Sequence, residues 1–344
     1  MPAEIVLIEP NPALPYTGMV PGYVAGVYDR SEILIDFVSL CASAGATVKR
    51  ARCVAIDVQS RRVRCEDGST LGYDILSIDI GSTLDTTVPG VIENAVCVRP
   101  LWRFVSEWSP AMVSGQEVAI VGAGAAGIEL ALAVQAYGYA PGNAPNMTVV
   151  GDAPMIAPGL AARGRTRLAQ ACKARGIRLE LGARVMRVTP ASVQLDNGVA
   201  VAAQTVLWAT GPAPHGWLRD TGLELDERGY LAVDQCLRVG GRPDVYAAGD
   251  VASIIGHARP KAGVYAVREA PVLAENLKRA LRGQQPRRYV PQRLALALIG
   301  TGDGRAVGTY GPLSVEGEWV WRWKDAIDRK FVQRYRGGTV PSVW

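Results

Sequence analysis

The sequence predicts an α/β fold of parallel strands joined by helical crossovers, and three observations predict it. An apolar run at residues 117–121 leads through Gly122-Ala123-Gly124-Ala125-Ala126-Gly127 into a helix-like stretch at 128–137. Strand, glycine turn and helix in that order open a βαβ unit. Two further apolar runs end on acids, residues 3–10 on Glu9-Pro10 and residues 245–250 on Gly249-Asp250. Short continuous apolar runs read as strands covered on both faces, as in a parallel sheet. Gly 38 and Pro 22 in 344 residues supply the tight turns between short elements, with no low-complexity tract and no repeat to suggest a solenoid.

In chain order, Pro10 stops the first strand, and residues 12–26, rich in Pro and Gly, read as a loop. An amphipathic helix is expected over 32–44, then strands over 47–58 and 61–65, with Glu66-Asp67-Gly68-Ser69 as a hairpin-type turn. Residues 73–79 form another buried strand ending at Gly81-Ser82, followed by a linker with Pro89, Gly90 and Pro100. After the glycine turn come a strand at 147–150, a helix at 161–175 and a strand at 178–181. An antiparallel excursion at 185–201, turned at Asp196-Asn197-Gly198, precedes a closing strand at 205–209. A strand at 245–248 and a long helix at 265–282 follow. A basic, proline-punctuated segment at 283–291 leads to a strand at 294–300 and an aromatic, basic end. There Trp319, Trp321 and Trp323 alternate like one face of a strand, with a short amphipathic helix over 324–336.

Composition narrows the function classes. The chain is long enough for two or three domains with their own cores. Its net charge is +5 with basic residues scattered until a denser group between Arg287 and Arg336, and no nucleic-acid reader motif accompanies them. The basic balance reads as a solvated face that helps attract anionic dinucleotides. The six cysteines, Cys41, Cys53, Cys65, Cys97, Cys172 and Cys236, form no CxxC or CxxxxC pair, which argues against a local redox dithiol and a zinc knuckle. No metal site is expected, and His215 and His257 lack ligand-like partners at helical spacing. Reduced thiols in the cytoplasm are the default for such a sequence. No stretch reaches the roughly 20 apolar residues of a membrane-spanning helix.

The glycine turn carries the clearest chemistry. Gly122 permits the sharp turn, Gly124 lets the backbone approach a pyrophosphate, and Gly127 lets the helix pack on the sheet, with the helix N-terminus facing the phosphates. At the end of the next strand, where an acid would bind the adenosine ribose of NAD, stands Gly151 followed by Asp152, so the acid is displaced by one position. No Arg takes its place, which favours NADH over NADPH. Glu9 has the same geometry at the tip of the first strand, suited to a ribose diol. Gly249-Asp250 offers close approach and a carboxylate that can accept hydrogen bonds from a polyol such as ribityl.

Residues 122–129, Trp208-Ala209-Thr210-Gly211 and residues 244–250 occur in that order in FAD-dependent pyridine nucleotide-disulfide oxidoreductases, and the chain resembles their dithiol-free members, the type II NADH dehydrogenases. Three segments, PYTGMVPGYVAGVY from Pro15, PKAGVYAVREAPVLAENL from Pro260 and GEWVWRWKDAIDRKF from Gly317, look like the NADH dehydrogenase-like flavoproteins fused to, or encoded near, selenide, water dikinase. The resemblance implies two Rossmann-like, glutathione-reductase-like domains of three layers, with the NAD(P) domain inserted in the FAD domain, and a small α+β C-terminal domain. The corresponding boundaries are 1–110 and 226–285 for the FAD domain, 111–225 for the NAD(P) domain and 286–344 for the C-terminal domain.

Carried over by position, the resemblance places Glu9 on the FAD ribose, Asp250 with Gly249 on the ribityl chain, and Lys261, Ala262 and Gly263 near the flavin ring. It places Tyr16, Gly18, Met19 and Pro21 around the isoalloxazine, and Gly81, Thr210 and Gly211 at the cofactor-facing strand ends. Glu129 and Lys261 take the catalytic places, Glu129 where nicotinamide stacks on flavin. The implied activity is hydride transfer from NAD(P)H to FAD and onward to a quinone-like or other small acceptor; the rival reading is a non-catalytic dinucleotide-binding protein without flavin. Two departures stand out. The family's first FAD glycine motif, expected ahead of Ala3, is missing, which predicts weak flavin binding. Asp79 replaces a small residue near the FAD position. Members of the family attach to membranes through the C-terminal region, so peripheral contact on the inner face and a homodimer are further expectations, although packing of the aromatic end on the flavin domain is preferred.

Overall fold

A computed structural model describes residues 3–336. Its largest sheet has five parallel strands in the order Ala95–Cys97, Thr205–Trp208, Glu117–Val121, Asn146–Gly151 and Arg178–Leu181. The inner strands are nearly all buried, as continuous apolar runs require. The edge strand Ala95–Cys97 lies inside the stretch expected to be linker. The same three residues are pinned there by parallel pairing with Val206, Leu207 and Trp208, partners more than a hundred positions away that no local pattern reveals.

The helix Ala125–Ala136 follows the glycine turn and is apolar almost all round, with Ile128, Leu130, Ala131, Leu132, Ala133 and Val134 buried. Such a helix must be covered on every side. The sheet covers one side; the short helix Val20–Val24 and the antiparallel sheet Ala297–Gly300, Ala306–Tyr310 and Leu313–Gly317 cover others. Each fully buried Leu or Ile there contributes about 1.5–3 kcal/mol.

The remaining parallel strands form pairs. Val6–Ile8 lies beside Thr47–Lys49, Leu76–Ile78 beside Val245–Ala247, and Leu231–Val233 beside Ala252–Ile254; no described strand joins these three pairs into one sheet. Two antiparallel meanders, Cys53–Asp57 with Arg62–Cys65 and Thr70–Gly72, and Val185–Val188 with Ser192–Leu195 and Ala200–Ala202, match the hairpin expectations, but the strand expected over 47–58 is two, since Thr47–Lys49 pairs with Val6–Ile8 and only Cys53–Asp57 joins the meander. The helix Gly263–Leu281 follows the Val245–Ala247 strand.

Three further expectations need correction. The helix over 32–44 is broken: Arg30–Ile33 is a helical turn, Leu34–Asp36 pairs antiparallel with Ala13–Pro15, and Phe37–Ser43 starts a new helix. The Asp36 carboxylate caps that helix, accepting from the backbone of Val38 at 2.9 Å and Ser39 at 3.1 Å. Residues 12–26 are accordingly not all loop, since they hold the partner strand and the helix Val20–Val24, with Pro21 in its first turn. Among the described residues the aromatic end is one helix, Glu318–Tyr335, with no strand. In it Trp319 and Trp323 stack one turn apart on the outside, while Trp321 turns inward to stack on Tyr28. A tryptophan alternation that short fits either period. Trp344, the last of the aromatic group, lies outside the described residues.

Candidate functional site

The glycine turn divides into structural and open positions. A Cβ on Gly122, whose φ is +122°, would fall 2.2 Å from the Ala209 carbonyl oxygen, and one on Gly127 would fall 1.8 Å from the Gly122 oxygen. A Cβ on Gly124 would meet nothing within 4 Å. Gly124 is the N-cap of the helix Ala125–Ala136 and brings no side-chain cap, so the first helical N–H groups face that open space, an arrangement that binds anions. Beside it, the buried Thr210 hydroxyl has no protein partner and Gly211 borders open space. The displacement of the acid to Asp152 has a steric cause: a Cβ on Gly151 would come within 2.5 Å of the Ala123 side chain. Glycine is needed at the strand end, and the exposed carboxylate follows it.

A second group gathers at the Leu76–Ile78 and Val245–Ala247 strand ends. Gly249, with φ +72°, starts a turn that presents Asp250. The Asp250 carboxylate lies 3.2 Å from the Arg99 guanidinium and accepts from the Ser82 hydroxyl at 3.3 Å; Arg99 also donates to Ser82 at 2.6 Å. The Gly249 N–H donates to the buried Glu269 carboxylate at 2.7 Å, and burial pushes that acid up. The Lys261 ammonium donates to the Ala252 carbonyl and sits 4.0 Å from the Tyr230 ring centre. Burial pushes Lys261 down against the opposing pull of Asp250, Asp226 and Glu269. Ala262 is the uncapped N-cap of Gly263–Leu281, and open space borders both Gly263 and Gly81. Asp79 is exposed at the neighbouring strand end, bonded to Ser77 at 2.6 Å. Glu9 stands just beyond its strand, where its carboxylate accepts from the Asn11 backbone and side chain, both at 2.9 Å.

The third group is a buried charge cluster. Glu129, one turn into the helix Ala125–Ala136, accepts from the Gly300 N–H at 2.7 Å and lies 3.9 Å from the Lys324 ammonium. Lys324 donates to the Gly18 carbonyl and to the Asp328 carboxylate, both at 2.6 Å. Burial raises the Glu129 carboxyl, with Lys324 opposing. Burial alone would lower Lys324, but Glu129 and Asp328 outweigh it and hold the ammonium above its usual range. Tyr16 stacks on Phe331 with ring centres 4.4 Å apart, and its phenol is pushed up by burial and by the charge and hydrogen bond of Asp328. Met19 is buried beneath this cluster and Pro21 begins the adjoining helix. Glu129, Tyr16, Gly18 and Met19 thus gather around Lys324 and Asp328 from the far end of the chain, whereas Lys261 belongs to the Asp250 group.

Residues 1–270 match the model of the pyridine nucleotide-disulphide oxidoreductase family. The chain belongs to that family. It is 29% identical over 240 residues to an NADH dehydrogenase-like protein of Mycobacterium tuberculosis, a match covering 65% of this chain and 60% of that protein. It is 26% identical over 329 residues to the demethylphylloquinone reductase NdbB of Synechocystis, covering 90% of this chain and 80% of that protein. Among solved structures, NDH2 of Plasmodium falciparum in complex with NADH superposes with a TM-score of 0.78 at 15% identity, covering 97% of this chain and 94% of that one. The sulfide:quinone oxidoreductase of Aquifex aeolicus gives 0.77 at 18% identity, covering 98% and 87%. These two likenesses bear on the fold, which is the FAD/NAD(P)-binding Rossmann type.

Sequence reasoning missed Lys324, Asp328 and Arg99. The first two form an i,i+4 pair of opposite charge, which on sequence alone reads as a solvated helix face. Only the packing of Glu318–Tyr335 on Gly18 and Glu129 turns that face inward. Arg99 lies in the stretch read as linker, and its partner Asp250 is supplied by another segment.

Proposed function

We propose that the chain is an NADH dehydrogenase-like, FAD-dependent NAD(P)H:acceptor oxidoreductase that works without a redox dithiol and reduces a quinone-like or other small acceptor. The observation that carries this reading is the link from Glu129 through Lys324 to Gly18. It joins the helix of the pyridine-nucleotide turn to the residues expected around a flavin ring. NADH, favoured over NADPH, would lie with its pyrophosphate on the open face of Gly124 and its ribose hydroxyls on Asp152.

The Asp250 group fits FAD: open space beside Gly81 and Gly263, a carboxylate at a glycine turn and an uncapped helix N-terminus suit a polyol and a polar ring edge. Asp250, Lys261 and the Ala262–Gly263 backbone would hold it there, Glu9 would accept from its ribose, and Thr210 and Gly211 would border the space between the two cofactors. When bound, the flavin supplies the hydride-accepting and electron-donating chemistry. The protein orients the partners and holds protons at the Lys324 Nζ and the Glu129 carboxyl, where a quinone-like acceptor needs them on reduction. The quinone-reducing relative supports such an acceptor. The outer face of Glu318–Tyr335, with Trp319, Trp323 and Ile327 exposed, is suited to peripheral contact with a bilayer that carries the acceptor. No described helix is long and apolar enough to cross a membrane.

A second reading, dinucleotide binding without flavin, draws on one observation. Asp250 is engaged by Arg99 and the Gly249 N–H by Glu269, so two groups expected to meet the cofactor already have partners. Purification with added FAD followed by flavin quantitation, and assay of NADH-dependent reduction of a soluble quinone, separates the readings. Bound flavin with turnover supports the first; tight NADH binding without flavin or turnover supports the second.

A further inference from the structure

The sequence shows no cysteines at dithiol spacing, yet the fold opposes two of them. Cys53 and Cys65 are register partners on the antiparallel strands Cys53–Asp57 and Arg62–Cys65. The Cys65 N–H is spent on the far side of its strand, donating to the Ser69 carbonyl at 2.9 Å, while the adjacent Glu66 N–H carries the cross-strand bond to the Arg52 carbonyl at 2.9 Å. Cys53 and Cys65 therefore form a non-hydrogen-bonded pair, with side chains on one face, the position where opposed residues of antiparallel strands come closest, typically with Cα atoms about 4.5 Å apart. A disulfide accepts Cα separations of about 4.4–6.8 Å. The register slips immediately beyond Cys53, and such a bulge gives that strand local freedom to adjust.

The two thiols differ in access, Cys65 being buried and Cys53 half-buried. Burial, then the neighbouring Cys65, pushes the Cys53 thiol up to about 11, in keeping with two sulfurs in each other's field. The turn after Cys65 carries Asp67, which bonds the Lys49 ammonium at 2.7 Å. Lys49 in turn lies opposite Ile8, and its carbonyl accepts the Glu9 N–H at 3.1 Å. The thiol pair is thus one ion pair and one strand away from the acid at the first strand tip.

We propose that Cys53 and Cys65 form a thiol–disulfide site that takes a low-molecular-weight disulfide as oxidant and stiffens the hairpin behind Glu9. Cys53, the less buried of the two, attacks one sulfur of the oxidant as its thiol proton passes to solvent, forming a mixed disulfide and releasing one thiolate. The Cys65 thiolate then attacks the Cys53 sulfur, closing the protein disulfide and releasing the second. The protein loses two electrons and two protons; the electrons reduce the oxidant to two thiols. This site is independent of the flavin reading.

The test uses the full chain equilibrated with glutathione disulfide, then alkylated, digested and mapped by mass. The expected product is one peptide pair linked through Cys53 and Cys65, with the other four of the six cysteines alkylated. Melting temperature should rise on oxidation of the parent and stay unmoved in Cys53→Ser/Cys65→Ser. Cys65→Ser should stop at glutathione bound to Cys53. Separate glutathione adducts on both cysteines of the parent, persistent free thiols, or linkage to another cysteine would overturn the proposal. The parent's peptide map decides even where a variant folds poorly.

Discussion

Substituting Gly124 by Val separates the binding role of the glycine turn from its structural role. A Cβ at Gly124 meets nothing within 4 Å, so the variant should fold, whereas a methyl at Gly127 would fall 1.8 Å from a backbone oxygen. In Gly124→Val the isopropyl group occupies the space in front of the first N–H groups of Ala125–Ala136, where a pyrophosphate would sit. Hydrogen bonds to charged groups are worth about 1.5–3 kcal/mol each, so losing two costs about 3–6 kcal/mol, roughly a 140- to 20,000-fold rise in Kd. Calorimetric titration with NADH, alongside thermal melting, measures both effects. The expected result is a melting temperature close to the parent's with binding lost, and for Gly127→Ala a clear fall in melting temperature. Undiminished NADH binding by a folded Gly124→Val would refute the assignment of this turn.

Three other perturbations address the charged groups. Lys324→Met leaves Glu129 and Asp328 without their buried partner and should cost about 3–5 kcal/mol in denaturant unfolding; a change below about 1 kcal/mol would show that the cluster is not coupled as described. Glu129 is raised by burial above its usual 4.5, so its stabilising protonated form is fully present below that pH and is lost as pH rises through the folded-state value. Glu129→Gln should therefore gain melting temperature relative to the parent as pH is raised from 4.5 toward neutrality, and a pH-independent gap would contradict the shift. Asp152→Ala should weaken NADH binding by about 1.5–3 kcal/mol with little effect on NADPH; tighter binding of NADPH than NADH by the parent would remove the basis for the NADH preference.

The five-stranded parallel sheet and its glycine turn were the most readable part of the chain. Its strands are apolar runs buried on both faces, and the glycine spacing is dictated by local backbone contacts such as that between Gly127 and the Gly122 oxygen. Legibility failed where distant partners override local pattern. Leu34–Asp36 leaves a helical periodicity to pair with Ala13–Pro15, and Ala95–Cys97 becomes a strand only because Thr205–Trp208 lies beside it. The candidate site shows the same division. Glu9, Gly124, Asp152 and Asp250 stand at strand ends and turns, where position alone suggests chemistry. Lys324 and Asp328 acquire theirs by burial against Gly18, some three hundred residues away. The opposition of Cys53 and Cys65 is a product of register, which turn chemistry between them does not specify uniquely.

An anaerobic titration of the FAD-supplemented chain with NADH, followed by visible absorption, tests hydride transfer to a bound flavin directly. Flavin should remain with the protein through gel filtration, stoichiometric NADH should bleach its absorption band, and a soluble quinone should then restore it. A chain that binds NADH yet retains no flavin, or whose bound flavin is unmoved by NADH, would contradict that hydride transfer.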